Sequence, residues 1–236
     1  MDGRAVLHQL AAGSLIDRVP RDHAQSDREF VRRRLVVGLT LVIGSLLLGF
    51  SLSVRPGDPV FYLLTGAVAL TWVAGGLLSG PVHLGYQVVR GRLRRPVLAP
   101  LVIGLAASVV FLAGALVVRE IPPLRDYVEM VLAHARYGPI LATTAVTVAN
   151  GVAEEVFFRG ALFAAIGRRY PVGLTTLVYA VATLATANPM LVFAAVTLGF
   201  VLALQRRASG GILAPILTHV TWSVLMLFLL PPLFPH

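Results

Sequence analysis

The sequence predicts an all-α, polytopic integral membrane protein with about seven transmembrane helices. Hydrophobic residues make up 57% of the 236 residues, charged residues make up 13%, and the mean hydropathy is +0.81. These values lie far from those of soluble globular domains. The apolar residues also collect in runs long enough to cross the hydrocarbon core of a bilayer, which takes about 20 residues as a helix. A water-soluble domain with a single core is therefore excluded.

Residues 1–34 precede the first apolar run; they contain seven Arg and Pro20, and they predict a cytoplasmic N-terminal tail. The first run begins too late and is too long for a cleavable signal peptide, so we expect an uncleaved anchor. Residues 119–138 combine charges with apolar residues at helical spacing, which predicts an amphipathic helix on the outer surface. One membrane domain, residues 35–236, contains all the predicted spans. They are residues 35–54, 60–80, 97–118, 139–166, 173–187, 190–205 and 211–230.

The basic residues predict the orientation of these helices. The formal net charge is +9, and all twenty basic residues are Arg. Such a charge is compatible with nucleic-acid binding, but these Arg lie in short clusters between apolar runs, which is typical of membrane topology. With the N-terminus inside, fifteen Arg lie on the cytoplasmic side, four lie outside and Arg159 lies within a helix. The count therefore predicts a cytoplasmic N-terminus and an external C-terminus. We also predict a bacterial plasma membrane as the location and no nucleic acid as a partner.

Candidate chemistry is concentrated in the fourth run. Beyond residue 129 the only carboxylates are Glu154 and Glu155, which lie inside this apolar helix. A charge at the centre of a membrane helix costs about 3 kcal/mol on insertion scales, so both need a partner or a wet cavity. Glu155 and Arg159 stand at i, i+4 with the acid first, which favours an ion pair. Glu154 instead ends a polar stripe on one face of the helix. The stripe consists of Thr143, Thr147, Asn150 and Glu154.

Two later helices carry polar residues at matching spacing. Tyr179 and Thr183 lie one turn apart in the fifth run, as do His219 and Ser223 in the seventh. If the polar faces converge, they form a pocket with an acid, an imidazole and hydroxyl groups, which can activate a water and stabilise an oxyanion. The same residues also fit a purely structural interpretation. In that case the charges form a buried network that fixes helix packing, and His219 only bonds a neighbouring helix.

Two segments resemble a known family. Residues 154–160 (EEVFFRG) resemble the Glu-Glu-x-x-x-Arg motif of the CPBP intramembrane proteases, the group that includes the CAAX prenyl endopeptidases and bacteriocin-processing enzymes. Residues 211–223 (GILAPILTHVTWS) resemble that family's last motif, an Ala-Pro segment leading to His-x-x-x-Asn or Asp. The motifs follow in the family's order, and the resemblance implies a CPBP-like core at about residues 139–230.

The resemblance also implies roles. In the family, the first Glu and the His of a middle Phe-x-x-x-His motif bind or activate the attacking water, through a metal or directly, and the last His and Asn steady the oxyanion. By resemblance, Glu154 takes the first role and His219 the last. Two positions depart from the pattern: residues 179–183 (YAVAT) are the best counterpart of the middle motif and end in Thr183, and Ser223 replaces the Asn or Asp.

The missing His affects the cofactor that we expect. A divalent metal such as zinc, held by Glu154, His219 and hydroxyl groups, binds more weakly than one held by two imidazoles and a carboxylate. The chain contains no Cys that could add a thiolate. We therefore expect either a weakly held metal at Glu154 and His219 or a metal-free route. In the second case Glu154 is the base, His219 is the donor to the oxyanion, and Thr183 or Ser223 orients the water.

The predicted function is intramembrane endopeptidase activity, in which a water activated by Glu154 hydrolyses a membrane-associated polypeptide, weakened by the loss of the middle His. Two alternatives stay open. One is a catalytically inactive membrane scaffold or immunity-type protein with the same fold, and the other is a small transporter whose buried charges line a polar path. The predicted catalytic residues are Glu154, Glu155, Arg159 and His219, supported by Asn150, Tyr179, Thr183 and Ser223.

Overall fold

The computed structural model describes residues 12–20, 23–89 and 91–234, which are mainly helical. Nine α-helices and one antiparallel pair of strands occur in this part of the chain. The helices are α1 (Asp27–Ser53), α2 (Val60–Ser79), α3 (Leu98–Val118), α4 (Pro122–Arg136), α5 (Ile140–Glu154), α6 (Phe163–Ile166), α7 (Pro171–Thr183), α8 (Pro189–Ser209) and α9 (Leu213–Leu229). The strands are β1 (Gln87–Val89) and β2 (Arg92–Arg94). Two π-helical segments (Ala12–Ile16 and Glu155–Leu162) and two 3-10 turns (Leu184–Thr186 and Pro231–Leu233) complete the elements.

The prediction of an all-α, polytopic membrane protein is confirmed. Five helical rods are long and apolar enough to cross a membrane: α1, α2, α3, α8 and the continuous rod Ile140–Ile166 that contains α5 and α6. Two shorter apolar helices, Pro171–Thr186 and Leu213–Leu229, correspond to the remaining predicted spans. A tight turn joins the first of these to α8, and the Asn188 side chain caps α8 by accepting bonds from two backbone N–H groups.

Helix α1 begins within the segment that the sequence analysis assigned to the N-terminal tail. Its first residue is Asp27, whereas the predicted span began at residue 35. A capping box explains the difference, because the Ser26 hydroxyl accepts from the Glu29 N–H and the Glu29 carboxylate accepts from the Ser26 N–H at 2.8 Å. The first turns of α1 are polar, so hydropathy gave no sign of them.

The connection between α2 and α3 contains a hairpin that the sequence analysis did not predict. Strands β1 and β2 pair antiparallel, with Val88 opposite Leu93. Strands of three residues are too short to show a recognisable alternation of polar and apolar residues. The helix expected within residues 119–138 is present as α4, which begins with a pair of Pro in its first turn.

Contacts between distant segments define two ends of the helical bundle. At one of them, named the Arg-rich end here, Arg34 donates to the carbonyl of Ala165 at 3.1 Å. At the opposite end Arg136 donates to the carbonyl of Pro231 at 3.1 Å. Each contact joins segments that the predicted topology places on one side of the membrane. These two contacts therefore agree with the alternation predicted for the spans that they join, and the orientation in the membrane stays a prediction.

At the Arg-rich end, the connection after α2 crosses the connection before α9. The backbone N–H of Ile212 donates to the carbonyl of His83 at 2.9 Å, which ties the two connections together. A Cβ atom at Gly211 would lie 2.1 Å from the backbone nitrogen of Gly85, so the crossing requires glycine at this position. The crossing therefore fixes the start of α9, the helix that carries His219.

The hydrophobic core holds the motif segment in place. Trp72 of α2 has no exposed surface, and the centroid of its ring lies 4.6 Å from that of Phe157 and 5.1 Å from that of Phe158. Both Phe side chains belong to residues 154–160 and are buried. Because cores pack closely, any shift of these rings must move Trp72 as well.

Candidate active site

The motif segment changes from α-helical to π-helical geometry at Glu155. The π segment Glu155–Leu162 continues α5 and runs into α6, and the N–H of Phe163 bonds to the carbonyl of Phe158, five residues earlier. Such stretches inside α-helices occur frequently at functional sites. The directions of side chains beyond Glu155 therefore differ from those of an ideal α-helix.

Glu155 is the centre of a buried ionic network. Its Oε1 accepts one hydrogen bond from Nη1 of Arg159 and one from Nδ1 of His219, both at 2.8 Å. Glu155 and Arg159 have no exposed surface, and His219 is buried. The ion pair suggested by the i, i+4 spacing is thus present, and it extends to a helix 64 residues further along the chain.

Arg159 is also held by α7 and α8. Its Nη2 donates to the carbonyl of Gly199 at 3.1 Å, and its guanidinium carbon lies 4.7 Å from the centroid of the Tyr179 ring. A Cβ atom at Gly199 would lie 3.0 Å from Cδ1 of Tyr179 and 3.1 Å from Nη2 of Arg159. The lack of a side chain at this position makes room for both groups.

Glu154 has different surroundings from its neighbour. It is half-buried, and its Oε2 accepts a hydrogen bond from the hydroxyl of Tyr179. Within the described part of the chain it forms no ion pair, although Glu155 and His219 are close enough to act on it electrostatically. Of two adjacent carboxylates, one is therefore bonded to cationic and imidazole groups and the other to a neutral phenol.

The predicted supporting residues on α7 and α9 differ in their contacts. Thr183 is buried, and its hydroxyl donates to the carbonyl of Tyr179 one turn earlier in the same helix, at 2.8 Å. Ser223 lies one turn beyond His219 and is half-buried. The structure thus brings Tyr179 into contact with a carboxylate of the site, whereas the hydroxyl of Thr183 is bonded within its own helix.

The polar stripe predicted on α5 divides between two neighbours. The side-chain amide of Asn150 donates to the carbonyl of Thr65 at 3.2 Å, and the hydroxyls of Thr143 and Tyr62 lie 3.0 Å apart. Both partners belong to α2, whereas Glu154 bonds to α7. Asn150 therefore contributes to the packing of α5 on α2, one turn away from the carboxylates.

The donor set does not fit a tightly held metal ion. Zinc sites in proteins use three or four protein ligands, and in the described residues no group of three or more His, Asp or Glu side chains could hold a metal ion. His219 Nδ1 is bonded to Glu155, and Glu154 Oε2 to Tyr179. Weak binding of a metal by Glu154 and His219 alone therefore stays a prediction.

Two residues of the network were missed by the sequence analysis. Gly199 lies in the middle of an apolar run, where an isolated Gly indicates a close contact, and this signal could have been used. Arg206 was counted only for topology, yet it is buried and its Nε donates to the carbonyl of Arg159 at 2.6 Å. Its role depends on a contact between distant helices, for which the sequence pattern offers no sign.

Comparison with known proteins agrees with the motifs. Residues 136–225 match the family described as type II CAAX prenyl endopeptidase Rce1-like. No curated protein and no solved structure matches the chain. The matched segment contains both carboxylates, Arg159, Tyr179 and His219, together with their contacts on α8. This segment is therefore similar to the CPBP/CAAX protease family, a family of peptidases, and the match supports membership of that family.

Proposed function

We propose that the protein is an intramembrane endopeptidase that cleaves a membrane-associated polypeptide and that Glu154 activates the attacking water. The proposal rests on the different hydrogen-bond partners of the two adjacent carboxylates. Glu155 is bonded to Arg159 and His219, which hold it as a structural group, whereas Glu154 is bonded to a phenol. A general base must be able to take up a proton, and a carboxylate outside an ion pair does so more readily than one inside it.

His219 is the group proposed to stabilise the oxyanion. Its Nδ1–H donates to Glu155, which fixes the orientation of the ring and leaves Nε2 for the substrate. When the ring is protonated, Nε2–H donates to the negative oxygen that forms as water attacks the carbonyl carbon. Glu155 orients the ring in the same way that a carboxylate orients the catalytic His of a serine protease.

The reaction uses one water for each peptide bond. The water oxygen bonds to the carbonyl carbon while one of its protons moves to Glu154, giving a tetrahedral intermediate whose oxyanion faces His219. The carbon–nitrogen bond then breaks, and Glu154 returns the proton to the departing amine nitrogen. Acid and base roles alternate on one carboxylate, so the proposed cycle needs no further co-reactant.

The test compares new peptide ends in the membrane proteomes of cells that express wild type, Glu154→Gln or Glu129→Gln at equal levels. Glu129 lies on α4, outside the network, and its side chain is 34% exposed, so its substitution is a matched control. We expect new ends with wild type and Glu129→Gln, and a loss of about 10²- to 10⁴-fold with Glu154→Gln, the usual contribution of a general base. Ends that persist with Glu154→Gln would contradict the assignment of the base.

A second candidate function, an inactive membrane scaffold or immunity-type protein, is favoured by one observation. Thr183, the counterpart of the middle His, directs its hydroxyl to its own helix and does not bond either carboxylate. In that case wild type and Glu154→Gln give the same peptide ends while both proteins are inserted and folded. Biological activity would then depend on the outer surface of the helices.

A further inference from the structure

We propose that Tyr179 is the positioning residue that holds the base Glu154 ready to accept a proton, a role that rests on the proposed function. The hydroxyl of Tyr179 donates to Oε2 of Glu154. This bond occupies one carboxylate oxygen and leaves Oε1 as the atom that can accept from a water. A carboxylate held in one rotamer by a donor spends more of its time aligned with the water than a free one.

The ring of Tyr179 is itself held on three sides. Its centroid lies 4.6 Å from that of Phe158, and the guanidinium of Arg159 lies over it at 4.7 Å. On the third side, α8 approaches closely because residue 199 is Gly. The hydroxyl is thus presented to Glu154 from a ring that is fixed by the same Arg159 that anchors Glu155. Both carboxylates are therefore positioned by one connected set of side chains.

Thr183 cannot perform this role as the structure stands. A hydroxyl has one proton, and the proton of Thr183 is directed to the backbone carbonyl of Tyr179 at 2.8 Å. The donor to Glu154 therefore comes from one helical turn earlier than the family motif suggests. In this chain the hydrogen-bond donor near the base is therefore Tyr179, at the start of the middle motif, and not Thr183 at its end.

The test measures kcat and KM in proteoliposomes with a peptide that spans a cleavage site found by the comparison of peptide ends. Tyr179→Phe removes only the hydroxyl and keeps the ring against Arg159. Tyr62→Phe is the matched control, because Tyr62 is also half-buried and its hydroxyl bonds to Thr143, away from the carboxylates. A hydrogen bond to a charged group contributes enough that we expect a 10- to 100-fold lower kcat for Tyr179→Phe, with KM unchanged.

Two further variants distinguish a positioning role of Tyr179 from a purely structural role. Gly199→Ala keeps the Tyr179 hydroxyl but presses on its ring, so we expect a smaller fall in kcat than for Tyr179→Phe. Thr176→Val removes a different hydroxyl of α7, which donates to the carbonyl of Val172 at 2.9 Å, and should leave kcat near that of wild type. Because unfolded protein lowers the apparent kcat without changing KM, kcat is calculated per folded protein, measured for each variant by size-exclusion chromatography in detergent.

The outcomes distinguish this inference from the function on which it rests. Wild-type kcat in Tyr179→Phe, together with an inactive Glu154→Gln, overturns the role of Tyr179 and keeps the proposed function. An equal loss in Thr176→Val and Tyr179→Phe likewise overturns it, since a hydroxyl with no bond to Glu154 would then matter as much as that of Tyr179. Full activity of Glu154→Gln, or no cleavage by wild type, removes the proposed function and the role of Tyr179 together.

Discussion

Glu154 and Glu155 are neighbours in the sequence, share one apolar helix and differ in what they contact. Glu155 is fully buried between Arg159 and His219, while Glu154 is half-buried beside the Tyr179 hydroxyl. Side chains one residue apart on a helix point in directions about 100° apart, so each meets a different neighbouring helix. Two identical residues can therefore serve as an anchor and as a base within one short motif.

The buried ion pair should be essential for folding. Replacing Arg159 by Met leaves the buried Glu155 carboxylate with its bond from His219 but without its cation, and breaking a buried ion pair typically costs about 3–5 kcal/mol. We expect a corresponding fall in the free energy of unfolding, measured in mixed micelles. The control is Arg125→Met, whose side chain is 45% exposed and pairs loosely with Glu129 at 3.9 Å; its substitution should cost about 1 kcal/mol or less. Equal stability of the two variants would show that the pair contributes little.

At this scale, local contacts could be predicted from the sequence and distant ones could not. The Glu155–Arg159 pair follows from their spacing and order on one helix. The bond from His219 to Glu155 joins residues on separate helices, and no spacing rule specifies which of the two carboxylates it meets. Tyr179 was recognised only as a supporting residue because its ring position depends on Arg159 and Gly199, which come from other elements.

At the scale of elements, hydropathy located the spans and missed their polar ends. Helix α1 extends into polar residues because Ser26 and Glu29 cap it, a signal that is present in the sequence and independent of hydropathy. The hairpin β1–β2 and the π segment Glu155–Leu162 have no comparable signal, since three-residue strands show no clear alternation and π-helical bonding depends on packing.

The close crossing of the two connections at Gly211, before α9, should not tolerate a side chain. In Gly211→Ala the added Cβ would meet the backbone of the α2–α3 connection, which cannot move aside as a flexible side chain would. We expect a lower yield of folded protein and a lower midpoint of thermal unfolding in detergent. Gly114→Ala in α3 is the control, because nothing lies within 4 Å of its added Cβ. Since Ala favours helix over Gly by up to about 1 kcal/mol, that variant should be at least as stable as wild type.

A wild-type unfolding midpoint for Gly211→Ala would mean that the two connections can separate. In that event the crossing would not fix the start of α9, and the position of His219 would depend on its bond to Glu155 and on the contacts of Thr218 with α3 and α8.

At the scale of the whole molecule, the seven alternating spans and the clustering of Arg predict the orientation. The absence of Cys from the chain makes a direct test simple, because any introduced Cys is the only thiol. Glu120→Cys, whose native side chain is 71% exposed beyond α3, should react with a membrane-impermeant maleimide in intact cells. Arg92→Cys, in the exposed strand β2, should react only after the cells are opened. The reverse labelling pattern would show that the predicted orientation is wrong.

The length of the motif segment in residues is part of its geometry. Hydrogen bonds that span five residues place more residues in each turn than in the α-helices on either side. Exchanging one residue for another within Glu155–Leu162 keeps that number. Losing one residue there allows ordinary α-helical bonding and changes the rise and rotation between the residues before and after it, which would take the Arg159 carbonyl away from Arg206. Among related chains, natural variation in this segment is therefore expected as substitutions, with insertions and deletions confined to the connecting loops.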